Sequence, residues 1–148
     1  MTTNTPTDFR ALGIAPALLK TLDQRKVTTP TPIQHQTIPL ALQGKDIIGI
    51  AQTGTGKTFS FGLPMLQRLA AGKGRGLVLA PTRELAFQIE ESLKPFATAM
   101  NIRMAVIVGG SPMYKQKSDI RRNPRIVIAT PGRLVDHLEQ RTITLKEV

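Results

Sequence analysis

The 148-residue chain has no cysteine, no tryptophan and a single tyrosine. The absence of cysteine excludes disulfides and thiolate metal centres, and fits a reducing compartment such as the cytosol. Aromatic residues make up only 4% of the chain, too few for a ligand surface built on ring stacking, so a nucleic acid would be held by its backbone. No apolar run approaches the roughly 20 residues that cross a bilayer. The opening residues, Met1 to Thr7, are rich in threonine and proline and lack a basic-then-apolar signal pattern. These absences together describe a soluble, cytoplasmic protein with no membrane partner. Acids are scarce as well: ten Asp and Glu stand against twenty Lys and Arg, a net charge of +10. That excess favours a polyanionic partner, although a solvated basic surface would give the same count.

What is present is organised around Ala51-Gln52-Thr53-Gly54-Thr55-Gly56-Lys57-Thr58. The segment follows an apolar run, Ile47 to Ile50, and precedes Phe61, Met65, Leu66 and Leu69 at helical spacing. This is the strand, glycine-rich turn and helix of a P-loop, although Ala51 stands where the usual pattern opens with glycine. Gly54 and Gly56 let the backbone curl so that successive N–H groups point inward, and the helix beginning near Lys57 adds the positive end of its dipole. Lys57 would reach the β- and γ-phosphates, and the Thr58 hydroxyl would ligate Mg²⁺. A glycine-rich turn that binds nothing is the plainer alternative, and Gly-Lys-Thr in this context argues against it.

Along the chain, Leu12, Leu18, Leu19 and Leu22 predict a short amphipathic helix within Phe9 to Val27, with Pro16 near its start. Thr31-Pro32-Ile33-Gln34 opens a second helix that runs to Gly44. Four short apolar runs, at Ile47 to Ile50, Leu77 to Ala80, Met104 to Val108 and Ile126 to Ala129, alternate with helices. The pattern predicts an α/β fold with a doubly wound parallel sheet, buried on both faces. A chain of this length suits one domain.

The turns after the last three runs are Pro81-Thr82-Arg83-Glu84, Gly109-Gly110-Ser111-Pro112 and Thr130-Pro131-Gly132-Arg133. Taken singly they read as plain caps: Thr82, Ser111 and Thr130 at the helix starts, with Pro112 and Pro131 at the first helical position. Taken together, three helix N-termini on one sheet edge, two with an arginine beside them, make a track for successive phosphates that carries no base code. Gln34 likewise has two readings. It closes a capping box with Thr31, or its amide pairs with an adenine edge.

Five motifs then stand in order: Pro30-Thr31-Pro32-Ile33-Gln34, Ala51 to Thr58, Pro81-Thr82-Arg83-Glu84-Leu85-Ala86, Gly109-Gly110 and Thr130-Pro131-Gly132-Arg133. In this order and spacing the chain resembles the DEAD-box ATP-dependent RNA helicases of superfamily 2. The resemblance covers Phe9 to the last residue. It implies a flexible tail over residues 1–8, then the Q-motif region and the N-terminal portion of a first RecA-like domain over residues 9–148. It implies an ATP or ADP site at Phe9, Gln34, Thr53, Gly54, Thr55, Gly56, Lys57 and Thr58, with Phe9 packing on the base, and with Mg²⁺ on the Thr58 hydroxyl. It implies RNA-backbone contacts at Arg83, Gly110, Thr130 and Arg133. Lys26 and Val27 stand where the family usually has glycine and an aromatic, which would loosen the adenine pocket.

The chain stops before the Asp-Glu-Ala-Asp and Ser-Ala-Thr motifs and the second domain that this resemblance leads one to expect. Nor does any strand after the P-loop end in an acid, for they run into Pro81, Gly109 and Thr130. A P-loop enzyme needs a carboxylate there to hold Mg²⁺ and a group to position the attacking water. The expectation is nucleotide binding without hydrolysis at family rates, and self-association through unpaired sheet edges. Two other functions stay open: a small-molecule phosphotransferase, in which the phosphate-track turns have no role, and a non-catalytic RNA-binding module.

Overall fold

The computed structural model describes residues 8–148. The expected N-terminal tail therefore lies outside the described residues, apart from Asp8. The chain forms two compact units that divide between Ala71 and Gly72.

In the first unit, the segment expected to be one helix is two elements. A 3₁₀ turn, Arg10–Leu12, ends at Gly13 in the left-handed region (φ +97°), and α1, Pro16–Gln24, starts afresh with proline at its head. Phe9 at the cap position makes no side-chain bond, and Asp8 serves instead by accepting from the Ala11 N–H. Helix α2, Pro32–Leu42, begins with the capping box read from Thr31 and Gln34. Helix α3, Lys57–Ala71, packs against α2. Gln67 on α3 fastens the link before α1 by both ends of its amide: it accepts from the Ala15 N–H at 2.8 Å and donates to the Gly13 carbonyl at 2.9 Å. Phe9, Leu18, Leu22, Ile38, Leu63 and Leu66 are buried.

The expected strand Ile47 to Ile50 does not form: residues 45–52 carry no regular structure, and Ile48 and Ile50 are 92% and 90% exposed. A buried parallel strand is held by backbone partners alongside and by apolar cover on both faces. Among the described residues this segment has no strand beside it, so its apolar sequence alone does not order it.

The second unit is a three-stranded parallel sheet of β1, Gly76–Leu79, β2, Met104–Ile107, and β3, Ile126–Ala129, in the order β1-β3-β2. Central β3 is buried at all four residues, as its unbroken Ile-Val-Ile-Ala run requires. Helices α4, Arg83–Ala99, α5, Met113–Arg121, and α6, Pro131–Glu139, each follow a strand. Helix α4 continues past Pro95, although proline gives up one backbone bond there, because Leu93, Phe96 and Ala97 are buried. Ile107, Ile120, Val127, Ala129, Leu134 and Ile143 form a core that Leu77 and Leu138 close.

Parallel pairing brings the carboxyl ends of the three strands to one edge. The ladder continues past them: the Ala80 N–H donates to Ala129 O at 2.9 Å, and the Thr130 N–H to Ile107 O at 3.0 Å. The three turns that follow are thereby held in register.

Candidate functional site

In the first unit the glycine-rich loop has the shape its sequence predicts. Gly54 and Gly56 take φ of +81° and +84°, a region open to glycine at no steric penalty, and α3 begins at Lys57. A Cβ added at Gly54 would meet nothing within 4 Å, so the space beside that glycine is open. The Thr55 hydroxyl donates to Gln52 O at 2.5 Å, and Lys57 Nζ spans the loop to donate to Ala51 O at 2.6 Å. Lys57 thus holds the loop with a charge-assisted bond that an incoming phosphate would replace. The Thr58 hydroxyl makes no hydrogen bond among the described residues. Two left-handed glycines at a helix start, an exposed lysine that bonds back to the loop and a spare hydroxyl fit a nucleotide's phosphates. Among the described residues no group of three or more His, Asp or Glu could hold a metal by itself.

Gln34 joins this loop to α2. Its Oε1 accepts from the Thr31 N–H at 2.9 Å, the Thr31 hydroxyl accepts from the Gln34 N–H at 3.5 Å, and Nε2 donates to the Gly56 carbonyl at 3.1 Å. The capping reading of Gln34 is therefore realised. One N–H and one lone pair of the amide remain for a ligand. Gly56 has to be glycine twice over, since a Cβ there would also run into the Gln34 amide and lie 3.2 Å from Thr31 Oγ1. Phe9 is 2% exposed, its ring within the protein interior.

In the second unit the three expected RNA-contacting turns share one edge, and two arginines converge on the middle turn. Arg83 Nη1 donates to Gly109 O at 2.7 Å, and Arg133 Nη1 donates to Ser111 O at 2.8 Å. Gly110, between them, has φ +76°, and a Cβ on it would strike the Arg83 guanidinium. Arg83 is exposed, whereas the Arg133 side chain keeps only 15% of its surface and lies 3.5 Å from Asp136.

The capping expectation divides. Thr82 does cap α4, accepting from the Leu85 N–H at 3.2 Å. Thr130 occupies the cap position of α6 without a side-chain bond. Ser111 is displaced from the cap of α5, because Pro112, expected one residue further in, takes that place. The first turns of α5 and α6 consequently keep N–H groups that no capping side chain satisfies.

Sequence reasoning missed Gln116 and His137, both buried. Gln116 Nε2 donates to Val108 O at 2.8 Å, and its Oε1 faces Arg133 Nη1 at 3.2 Å and His137 Nε2 at 2.9 Å. Burial lowers the His137 pKa below its ordinary 6.5, and the positive charges of Arg133 and Lys117 lower it further against the opposing effect of Asp136. The available signal was positional: Gln116 stands four residues before buried Ile120, and His137 three after buried Leu134, both on apolar helix faces.

A glycine-rich loop opening a helix, and a parallel sheet whose strands each lead into a helix at one edge, are features of the RecA-like α/β class. The DEAD/DEAH box helicase profile matches residues 31–148, and the chain belongs to that family. It is 53% identical over 133 residues to the ATP-dependent rRNA helicase RRP3 of Debaryomyces hansenii, a match covering 88% of this chain and 28% of that protein. Among solved structures it is similar to the RNA helicase Prp28 of Chaetomium thermophilum bound to ADP, with a TM-score of 0.87, 39% identity and coverage of 97% of this chain and 37% of that one. A hypothetical ATP-dependent RNA helicase from Sulfolobus tokodaii matches with a TM-score of 0.82 and 35% identity, over 88% of this chain and 38% of that one. The chain thus spans under a third of the length of the curated relative and under two-fifths of either solved chain. No helix among the described residues is long and apolar enough to cross a membrane.

Proposed function

We propose that this chain carries the adenine-nucleotide site and part of the RNA-backbone track of a cytoplasmic ATP-dependent RNA helicase. The observation that carries the reading is the Gln34 bond to Gly56, which couples a residue suited to an adenine edge to the loop suited to its phosphates. In this reading the N–H groups from Gly54 to Thr58 cradle the phosphates, and Lys57 leaves Ala51 O to pair with them. Bound Mg²⁺ would neutralise phosphate charge, with the Thr58 hydroxyl as its protein ligand.

RNA phosphates would pass over the edge formed by Thr82-Arg83, Gly109-Gly110 and Thr130 to Arg133. Arg83 and Arg133 supply charge, and the uncapped first turns of α5 and α6 supply N–H donors. Contacts of this kind hold any sequence and weaken with salt. Among the described residues the strands lead into Pro81, Gly109 and Thr130 rather than into an acid, and on this reading the chain binds nucleotide without turning it over at family rates. The exposed Ile48 and Ile50 would support self-association at high concentration.

Calorimetric titration with ADP and with GDP in the presence of Mg²⁺, repeated on Gln34→Ala, tests the nucleotide half. Binding of ADP, rejection of GDP and loss of that preference in the variant are expected. Equal binding of both nucleotides by the parent chain would overturn the adenine assignment. Steady phosphate release that disappears in Lys57→Ala would overturn the absence of turnover.

A further inference from the structure

We propose that Gln116 and His137 are positioning residues for Arg133, holding its guanidinium so that one face of the fork is presented to an RNA phosphate. The inference rests on the RNA-backbone reading of Arg133 and adds to it two residues outside every motif that carried that reading.

The geometry fixes each atom of the relay. Gln116 Nε2 donates to Val108 O, at the end of β2, so its oxygen must face the other way. A flipped amide would lose that bond and set N–H against the Arg133 N–H. Oxygen Oε1 can only accept, so His137 Nε2, 2.9 Å away, must carry the proton and donate. Its other nitrogen, Nδ1, is buried with no hydrogen-bond partner. A charged imidazole would bury a second N–H with no acceptor, so the ring is neutral here.

Arg133 Nη1 then has both hydrogens spoken for, one on Ser111 O and one on Gln116 Oε1. Its buried Nε lies 3.5 Å from Asp136 Oδ2, an ion-pair approach without a hydrogen bond. Nη2 makes no hydrogen bond among the described residues, which leaves that pair of donors for a ligand. Because guanidinium is planar and rigid, the two bonds on Nη1 orient Nη2 as well. The relay runs from β2 through α5 to α6, and so ties the arginine of one turn to the backbone of another.

The test is binding of fluorescein-labelled decauridylate to the 148-residue chain by anisotropy, at several salt concentrations, for the parent, Arg133→Ala, Gln116→Met and His137→Gln. Methionine keeps the length and volume of Gln116 and leaves net charge unchanged. Gln116→Met is expected to weaken binding about tenfold, the loss of one oriented charged contact. It is also expected to reduce the slope of log affinity against log salt by about 0.7, the value for one phosphate contact to a single strand. A purely structural role would leave that slope alone, because no charge is removed. His137→Gln, which can donate to Oε1 from the same place, is expected to bind as the parent does. Adding Arg133→Ala to Gln116→Met is expected to change nothing further. Additive losses, or an unchanged salt slope in Gln116→Met, would overturn the positioning role while the RNA reading stands. No loss of affinity in Arg133→Ala would overturn both. Should Gln116→Met fail to fold, His137→Phe against His137→Gln poses the same question, since only phenylalanine removes the donor. Equal binding by that pair overturns the proposal.

Discussion

The Gln34 carboxamide donates to the carbonyl of Gly56, 22 residues further along the chain, while its oxygen closes the cap of its own helix. One side chain therefore sets both the start of α2 and the last bend of the loop before α3. Replacing Gln34 by alanine is expected to remove a cap interaction of ~1 kcal/mol and a further net bond of ~1 kcal/mol. Urea unfolding, followed by circular dichroism, should show a loss of about 1–3 kcal/mol. Loss of ADP selectivity should accompany it.

Gly56→Ala is expected to harm the same junction from the other side. The residue holds φ +84°, and the new methyl would meet the Gln34 amide and Thr31 Oγ1. A destabilisation of about 1–3 kcal/mol is expected, with nucleotide binding abolished. Gly54→Ala is the comparison: its φ is +81° but its surroundings are open, so only the backbone penalty of ~1 kcal/mol remains.

Lys57→Ala should leave stability within about 0.5 kcal/mol of the parent, because the bond it removes is exposed. Calorimetry should nevertheless detect no ADP binding. A stable fold with unchanged affinity would remove Lys57 from the phosphate site.

Gly109 and Gly110 should separate ligand effects from fold effects. A methyl at Gly109 would meet nothing within 4 Å, so Gly109→Ala should unfold like the parent and, if the proposed backbone track passes there, lose affinity for RNA. Gly110→Ala should lose stability by about 1–3 kcal/mol, since its φ is +76° and its Cβ drives Arg83 off Gly109 O. Melting curves and decauridylate anisotropy on the two variants distinguish these outcomes.

His137 gives stability a pH dependence whose sign is fixed. Its pKa is lowered in the fold, so the unfolded chain takes up protons more readily and stability rises with pH through that window. The contribution is present above 6.5, the unfolded value, and is lost as pH falls through the lower folded value. Arg133, Lys117 and Asp136 are the charged groups facing the ring. Denaturant midpoints measured from about pH 5 to about pH 8 should fall on the acid side for the parent, and His137→Gln should remove that fall.

The helices and the loop were legible in the sequence because their causes are local. Thr31-Pro32-Ile33-Gln34 caps a helix wherever it folds, and Gly54 and Gly56 can take the left-handed turns that other residues resist. The runs at Leu77, Met104 and Ile126 marked strands because continuous apolar segments need burial on both faces. The same cue failed at Ile47 to Ile50, where burial depends on neighbours that the segment itself does not specify.

What only the tertiary structure decided lies in contacts between distant residues. Local pattern offered Gln34 a cap or an adenine edge, and folding showed that the amide also reaches Gly56. Ser111 and Thr130 carried cap chemistry, yet neither side chain makes a cap bond: Pro112 takes the cap of α5, and Thr130 sits at the cap of α6 without accepting from its N–H groups. Arg133 was visible as a charge, but its orientation depends on Gln116, 17 residues before it on another helix, and on His137, one turn along its own helix, which acts on it through Gln116. Sequence determines which groups are available and what their own backbone can do. Which donor finds which acceptor is set by the packing of elements, because a buried polar group must take the partner that folding brings to it.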